Sequence, residues 1–436
     1  MTHPQDMSLR EQARAVGSGE LDPEKLLTAT LERIEERNSA LRAVAATFPR
    51  ESMAMLASAP RGRLYGVPVT MKDMYSLPWR GYRNGTVREL GRPSASGAFR
   101  RLRDVGAVVV GIDNQHELGL GSTGLVSAYG VSANPWNHAH LAGGSSGGSA
   151  AAVTAKMVGG AIGSDSGGST RLPAAWCGAV GLKVTYGSLP YDGYNGANSS
   201  FSGPGVLARD SADARLLLEA LLARPLPVDD VRTVRVGLVR RPYWDDVDRE
   251  VSESCENALA AVGLQQRELA LPLAELGPSL LTVRAMAEFG ASPPLDLLPQ
   301  LNPMTRALIH YSALQPAWRL TRADRVRAGL RRGLASIFAD CDVLAWPTSP
   351  GPAPAIDSPV FSLPSGPQPV DRANVRQTVL ANVTGVPALS VPVALHQTGL
   401  PIGLQLLAPW GEEALLLNVA QRIEDAVGRT WRPGQK

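Results

Sequence analysis

The chain has 436 residues, 44% of them hydrophobic and 19% charged, with 43 Lys and Arg against 40 Asp and Glu. Such a composition buries a core and excludes a disordered chain. A formal charge of +3 gives no nucleic-acid footprint, and the clusters Arg100, Arg101, Arg103 and Arg325, Arg327, Arg331, Arg332 read as solvated helix faces.

The N-terminal segment is polar and lacks the apolar run of a signal peptide. Ser8-x-x-Glu11 is a capping box, and Asp22-Pro23-Glu24 starts a helix with Leu27, Leu31 and Ile34 on one face. Residues 1–60 therefore read as N-terminal helices. Gly66–Lys72 alternates as a strand ending in Lys72, 94–105 reads as a helix, and Ala107–Ile112 as a buried strand. Further on, 181–187 reads as a strand and 210–222 as a helix. Then follow a strand at 234–239, a helix at 247–262 and a strand at 342–348. Residues 271–320 are richer in Leu and Pro, suggesting a cover, and 351–370 form a Pro/Ser-rich loop. Strands at 388–393 and 403–409 and a helix over 412–426 close the chain. No repeat and no linker is evident, which predicts a single α/β domain. Three cysteines, Cys177, Cys255 and Cys341, fit a reduced compartment. No window approaches 18 uninterrupted apolar residues, so a cytoplasmic protein without a membrane partner is expected.

The stretch Gly143–Pro173, GGSSGGSAAAVTAKMVGGAIGSDSGGSTRLP, has the glycine and serine content of a linker. Its middle does not. Ala150–Val158 has helical spacing, AIGSD reads as a strand, and glycines on either side mark close backbone approach. Shorter motifs fit poorly. Gly143-x-Ser145-x-Gly147 resembles a nucleophile elbow but no strand precedes it, and its downstream histidines, His310 and His396, have no distinctive setting. Gly119-x-Gly121-x-x-Gly124 starts too late after a strand for a dinucleotide fingerprint. His116-Glu117 lacks the second histidine of a zinc motif, and His138-x-His140 lacks a third ligand, so these read as surface or capping histidines and no metal is expected.

Lys72 ends an apolar strand. A lysine kept neutral by burial can act as a base for a serine; the plainer reading is a strand-end lysine reaching solvent or pairing with Asp73. The segments GVPVTMKD, GGSSGGS and GSDSGGSTRLPAAWCGAVGLK together resemble the amidase signature family, densely over residues 60–210 and more loosely over 340–426. Residues 220–340 read as a variable, substrate-side region. The resemblance implies an α/β/α fold, a large mixed β-sheet covered by helices on both faces, and a Ser–cis-Ser–Lys triad. Carried over by position, Ser169 is the nucleophile, Ser145 the bridging serine after a cis bond from Gly144, and Lys72 the base. The N–H groups of Ser166, Gly167, Gly168 and Ser169 form the oxyanion hole, where each donor is worth about 3 kcal/mol of barrier. Ser146 orients Lys72, while Asp165 and Arg171 hold the loop. Ser166, Thr170 and Val184 depart from the family's usual Thr, Ile and Pro without touching this chemistry. The bulky Trp79, Tyr82 and Arg83 either shape the pocket mouth or pack on the core.

The apolar 271–320 segment favours a neutral, apolar or aryl amide or carbamate cleaved through an acyl-enzyme, with no cofactor and a monomer or homodimer. An alternative within the resemblance is the glutamine-hydrolysing component of the glutamyl-tRNA amidotransferase, which works with partner subunits. Arg327 matches its glutamine-binding arginine, but no acid stands near Val375; Asp371 is the nearest. A Ser-His-Asp esterase using Ser145 and His396, and a binding protein with a vestigial site, are the readings outside it.

Overall fold

The computed structural model describes residues 3–92, 94–196, 200–291, 294–428, 431 and 433. Thirteen strands follow in chain order: Val44–Thr47 (β1), Pro68–Lys72 (β2), Val108–Asp113 (β3), Gly160–Asp165 (β4), Val180–Lys183 (β5), Gly203–Ala208 (β6), Arg235–Leu238 (β7), Gln265–Glu268 (β8), Val343–Pro347 (β9), Val360–Leu363 (β10), Gly366–Pro369 (β11), Ala388–Leu395 (β12) and Pro401–Leu407 (β13). Eleven of them form one sheet in the order β1-β3-β2-β4-β6-β5-β12-β13-β9-β7-β8, and β10 and β11 make a separate hairpin. The sheet is mixed. Strand β2 lies parallel to both β3 and β4, whereas β6, β5, β12, β13 and β9 pair antiparallel in succession.

Residue alternation explains why both faces are covered. Successive side chains of a strand point to opposite faces. In β3, Val108 and Val110 enter one apolar core while Val109 enters the other; in β6, Leu207 and its neighbours Val206 and Ala208 divide the same way. One core is closed by the helices Pro23–Leu41 and Gly147–Thr154, through Leu27, Ile34 and Ala150 to Val153. The other is closed by the helices Gly97–Asp104, Ser211–Leu222, Arg249–Val262 and Glu413–Val427. The expected α/β/α architecture is the one observed. No helix among the described residues is long and apolar enough to cross a membrane.

Local signals read from the sequence reappear as atoms. Ser8 Oγ accepts from Glu11 N and Glu11 Oε2 accepts from Ser8 N, closing the capping box. Several elements depart from expectation, among them the central strand β6, absent from the expected elements. Strand β1 lies among the predicted N-terminal helices, too short to alternate, and pairs with β3. Strand β8, QQRE, is exposed throughout and exists because it extends the sheet edge beside β7. The 351–370 loop contains the β10–β11 hairpin. A helix at Val370–Thr384 buries Asn374, Gln377, Thr378, Asn382 and Thr384, so it shows no apolar stripe in the sequence. The cover segment 271–320 is helical over Gly277–Ala291 and Pro303–Ser312, and its residues 292 and 293 lie outside the described ones. Trp79 packs edge-on to Phe48 and Phe99, which settles it as core.

The helix expected at 150–158 begins earlier, at Gly147, and ends at Thr154. Its second glycine has no room for a side chain. A Cβ on Gly148 would sit 2.3 Å from the carbonyl oxygen of Ala43 and 2.5 Å from that of Asn114. Both are backbone atoms and neither can rotate away. Gly148→Ala is therefore expected to destabilise the fold by about 1–3 kcal/mol, despite the better helix propensity of Ala. A denaturant titration against wild type measures it.

Candidate active site

Parallel neighbours β3, β2 and β4 end at the same edge of the sheet, with Lys72 opposite Asp113 and Met71 opposite Ile162. The carboxyl ends of parallel strands are where α/β sheets collect functional groups. Here they bring together Lys72, Asp113, Ser164 and Asp165, all buried. Lys72 Nζ donates to Ser145 Oγ at 2.6 Å and to Ser164 Oγ at 2.8 Å. Burial strips water from the ammonium and lowers its pKa to about 7, against the opposing pull of Asp165 and Asp113. The amine is thus far more readily neutralised than an exposed lysine, with two hydroxyls in place of a carboxylate partner.

Ser145 sits in the loop that opens the helix Gly147–Thr154, and the Gly144–Ser145 peptide is cis. Glycine is obligatory around it. A Cβ at Gly144 would lie 2.8 Å from the amide nitrogen of Gly124, and one at Gly124 would lie 2.6 Å from Gly143 O. The run Gly119, Gly121, Gly124 is therefore packed against the serine loop, and the resemblance to a dinucleotide fingerprint reflects that close approach. The two serine loops are tied together, with Ser146 N donating to Ser169 O at 3.1 Å.

The second loop follows β4. Asp165, at its start, accepts from Gly168 N at 2.8 Å and Thr170 N at 3.2 Å, and it forms a two-pronged pair with Arg171 at 2.9 and 2.8 Å. Burial opposes the charge on Asp165, but Arg171 and Asn382 overcome it and hold the carboxyl far below its usual range. Arg171 also donates to Thr378 O and Asn382 Oδ1, and Thr378 Oγ1 donates to Gly167 O. Ser166 Oγ donates to Ser202 Oγ at 2.7 Å, which is bonded in turn to Tyr194 OH. Gly168 has φ +120°, and a Cβ there would lie 2.3 Å from Thr378 Oγ1. Ser169 is half-buried and, among the described residues, its hydroxyl has no hydrogen-bond partner. The N–H groups of Ser166, Gly167 and Ser169 likewise have no acceptor among the described residues.

Three sequence expectations change, at Gly168, Ser146 and His116. Gly168 N–H, expected in the oxyanion hole, is committed to Asp165. Ser146, expected to orient Lys72, instead brackets the backbone of Ser164, donating to its carbonyl at 3.1 Å and accepting from its N–H at 3.3 Å. The second hydroxyl on Lys72, beside that of Ser145, is that of Ser164, which the sequence signalled only as a polar residue before Asp165 at the end of the strand. Thr378, Asn382 and Gln405, which all accept from Arg171, were also missed. His116 is buried rather than superficial, and burial lowers its pKa to about 4. His396 lies 3.2 Å from Glu250 Oε2 and bonds Thr398 Oγ1, so it does not serve Ser145. His310 lies exposed on the helix Pro303–Ser312.

Comparison with known proteins gives a consistent family. The sequence profile of the family described as Amidase matches residues 25–417. The chain is 30% identical over 482 aligned positions to the A-type subunit of the glutamyl-tRNA(Gln) amidotransferase of Halothermothrix orenii, covering 98% of this chain and 99% of that one. A crystal structure of an amidase superimposes with a TM-score of 0.90 at 29% identity, over 96% of this chain and 99% of the other. A chain from a vestigial protein complex, reported for the origins of an s-triazine catabolic enzyme, gives 0.91 at 26% identity, over 98% and 100%.

The Asp165–Arg171 pair is fully buried on both sides. Removing the cation leaves a carboxylate with no route to water. Arg171→Leu is expected to cost about 3–5 kcal/mol, read as a lower denaturation midpoint. Arg14→Leu, which removes an exposed pair with Glu20, should leave that midpoint unchanged.

Proposed function

The chain belongs to the amidase family and is a hydrolase of carbon–nitrogen bonds; from that premise we propose that it works through an acyl-enzyme on Ser169. Ser169 Oγ attacks the amide carbon while its proton passes through Ser145 Oγ to Lys72 Nζ. The oxyanion forms against the N–H groups of Ser166, Gly167 and Ser169, which have no other acceptor among the described residues. The proton on Lys72 returns by the same path to the leaving amine, and water then cleaves the ester to restore Ser169. The observation that carries this reading is the 2.6 Å contact from a buried Lys72 Nζ to Ser145 Oγ.

For the acyl donor, the likeness to the Halothermothrix orenii amidotransferase component favours glutamine, cleaved in company with partner subunits, over an aryl amide or carbamate. The site itself carries the second reading. Leu281 stands over the oxyanion loop, 3.0 Å from where a Cβ of Gly167 would be. Arg327 donates to Val383 O at 2.8 Å and Ser200 O at 3.3 Å and stacks on Phe201. Asp371 accepts from Ser122 N and Oγ at 2.7 and 2.6 Å. Arg327, the arginine matched to glutamine binding, and Asp371, the acid nearest Val375, are thus already engaged, and an apolar side chain stands over the Gly167 loop, which supports a neutral donor.

The experiment is a substrate panel: glutamine, and one acyl group as p-nitroanilide, carbamate and p-nitrophenyl ester. It is run on the chain alone and with the two partner subunits of a bacterial glutamyl-tRNA amidotransferase. Turnover of glutamine that requires the partners supports the first donor; turnover of the anilide or carbamate by the chain alone supports the second. Ser169→Ala and Lys72→Ala should each lower the rate at least about a thousandfold, while His396→Ala leaves it unchanged. Full activity in Ser169→Ala overturns the mechanism. Because Lys72 must be neutral to accept a proton and its pKa lies at about 7, kcat/KM should rise with pH through that value and level off above it.

A further inference from the structure

Lys72 stands between two buried acids. In the order β3-β2-β4 the strand ends present Asp113 opposite Lys72 on one side and, further along β4, Asp165 on the other. Asp165 has a cation of its own in Arg171. Asp113 has none. Among the described residues, its side chain has one hydrogen bond, accepted by Oδ2 from Ser149 Oγ at 2.8 Å, and Oδ1 is buried with no partner. The Thr70 hydroxyl is nearby but outside hydrogen-bond geometry. A buried carboxylate with one hydroxyl donor is poorly stabilised, so its charge depends on the nearest cation. That cation is Lys72, its register partner.

We propose that Asp113 is a positioning residue for the base, acting on Lys72 by charge across the strand pair rather than by contact. When Asp113 is neutral, Lys72 gives up its own proton more readily and stands as an amine ready to receive the proton from Ser145. When Asp113 is a carboxylate, its charge stabilises the ammonium and removes the base. No proton passes directly between the two, and no bond is made or broken by this effect. Burial raises the Asp113 pKa to about 7, the same range to which it lowers that of Lys72. The two form one electrostatic unit, the charge on each bearing on the titration of the other.

The other charged and titratable groups around this edge do not account for such a unit. Asp165 is held ionised by Arg171. Asp73 pairs with Arg80 at 2.9 Å and accepts from Tyr129 OH at 3.0 Å. His116, in the turn after β3, is neutral above about 4, and Asp371 across from it is bonded to Ser122. Lys183 on β5 is lowered to about 7 by burial, but donates to Val184 O and Val386 O and titrates alike whatever stands at 113.

The inference rests on Lys72 acting as base for Ser169, and the test separates the two. A fluorophosphonate probe labels an activated serine whatever the natural substrate, so its second-order rate at Ser169 is measured from pH 5 to 9. Asp113→Asn removes the charge and keeps the shape. The acid limb of the labelling profile should move to lower pH by about half a unit to one unit, with the plateau within a few-fold of wild type. Ser149→Ala, which withdraws the one donor stabilising the carboxylate, should move it the same way by less, and serves if the Asn variant does not fold. A plateau that falls while the limb stays in place in both variants overturns the role of Asp113 and leaves the acyl-enzyme reading standing. A wild-type chain that never labels at Ser169 overturns both.

Discussion

An amine buried without a carboxylate in contact is the constraint around which the rest is arranged. Taking an ammonium out of water is costly enough that the group gives up its proton instead. The groups around Lys72 tolerate either state. A hydroxyl can donate to a neutral amine or accept from an ammonium, and the two in contact, Ser145 and Ser164, are both hydroxyls. Had either been a carboxylate, Lys72 would be locked as a cation. The two acids near it are kept off its nitrogen, one by Arg171 and the other by Ser149.

Holding that amine places demands on remote parts of the chain. The loop after β4 has to present free N–H groups, so its other polar atoms are bound from elsewhere. Asp165 takes two of its amides and Arg171, Arg171 reaches Thr378 and Asn382, and Asn382 Nδ2 returns to Asp165 Oδ1 at 2.8 Å. The helix Val370–Thr384 is thus bound to the loop by side chains that an apolar core has no use for. Its buried polar face, which hides it from a search for amphipathic periodicity, is the consequence of that duty. Satisfied networks of this kind fix one geometry because an incomplete one is so costly.

What could be read from the chain follows the same division. Strand ends, caps and the two serine loops announce themselves locally, through alternation at Gly66–Lys72, the box at Ser8 and glycines where backbones meet. Lys72, Ser145 and Ser169 were legible because their segments are long and resemble a known signature. Ser164 was not, because its role depends on β2 lying beside β4, a pairing made by residues far apart in the chain. The same holds for Gly168, whose N–H is taken by Asp165 through a turn that composition does not predict. Strand β8 has no apolar pattern and exists only as an edge added to β7.

Chemistry and selectivity also come from different stretches. The proposed triad is supplied by residues 72–169, whereas the side chain over the oxyanion loop, Leu281, comes from the helix Gly277–Ala291. From the same side, Arg284 reaches Ser200 Oγ at 3.0 Å and Arg327 reaches Ser200 O, so two helices converge on the segment that precedes β6. Helices that meet a shared strand end through side chains can change without disturbing the sheet. On the proposed mechanism a substitution at Leu281 bears on what is admitted, whereas one at Asp165 bears on whether the loop holds its shape. Relatives that share the signature can therefore act on different amides. On the proposed mechanism the donor is selected by residues 277–331, where the resemblance carried by Lys72, Ser145 and Ser169 gives the least guidance.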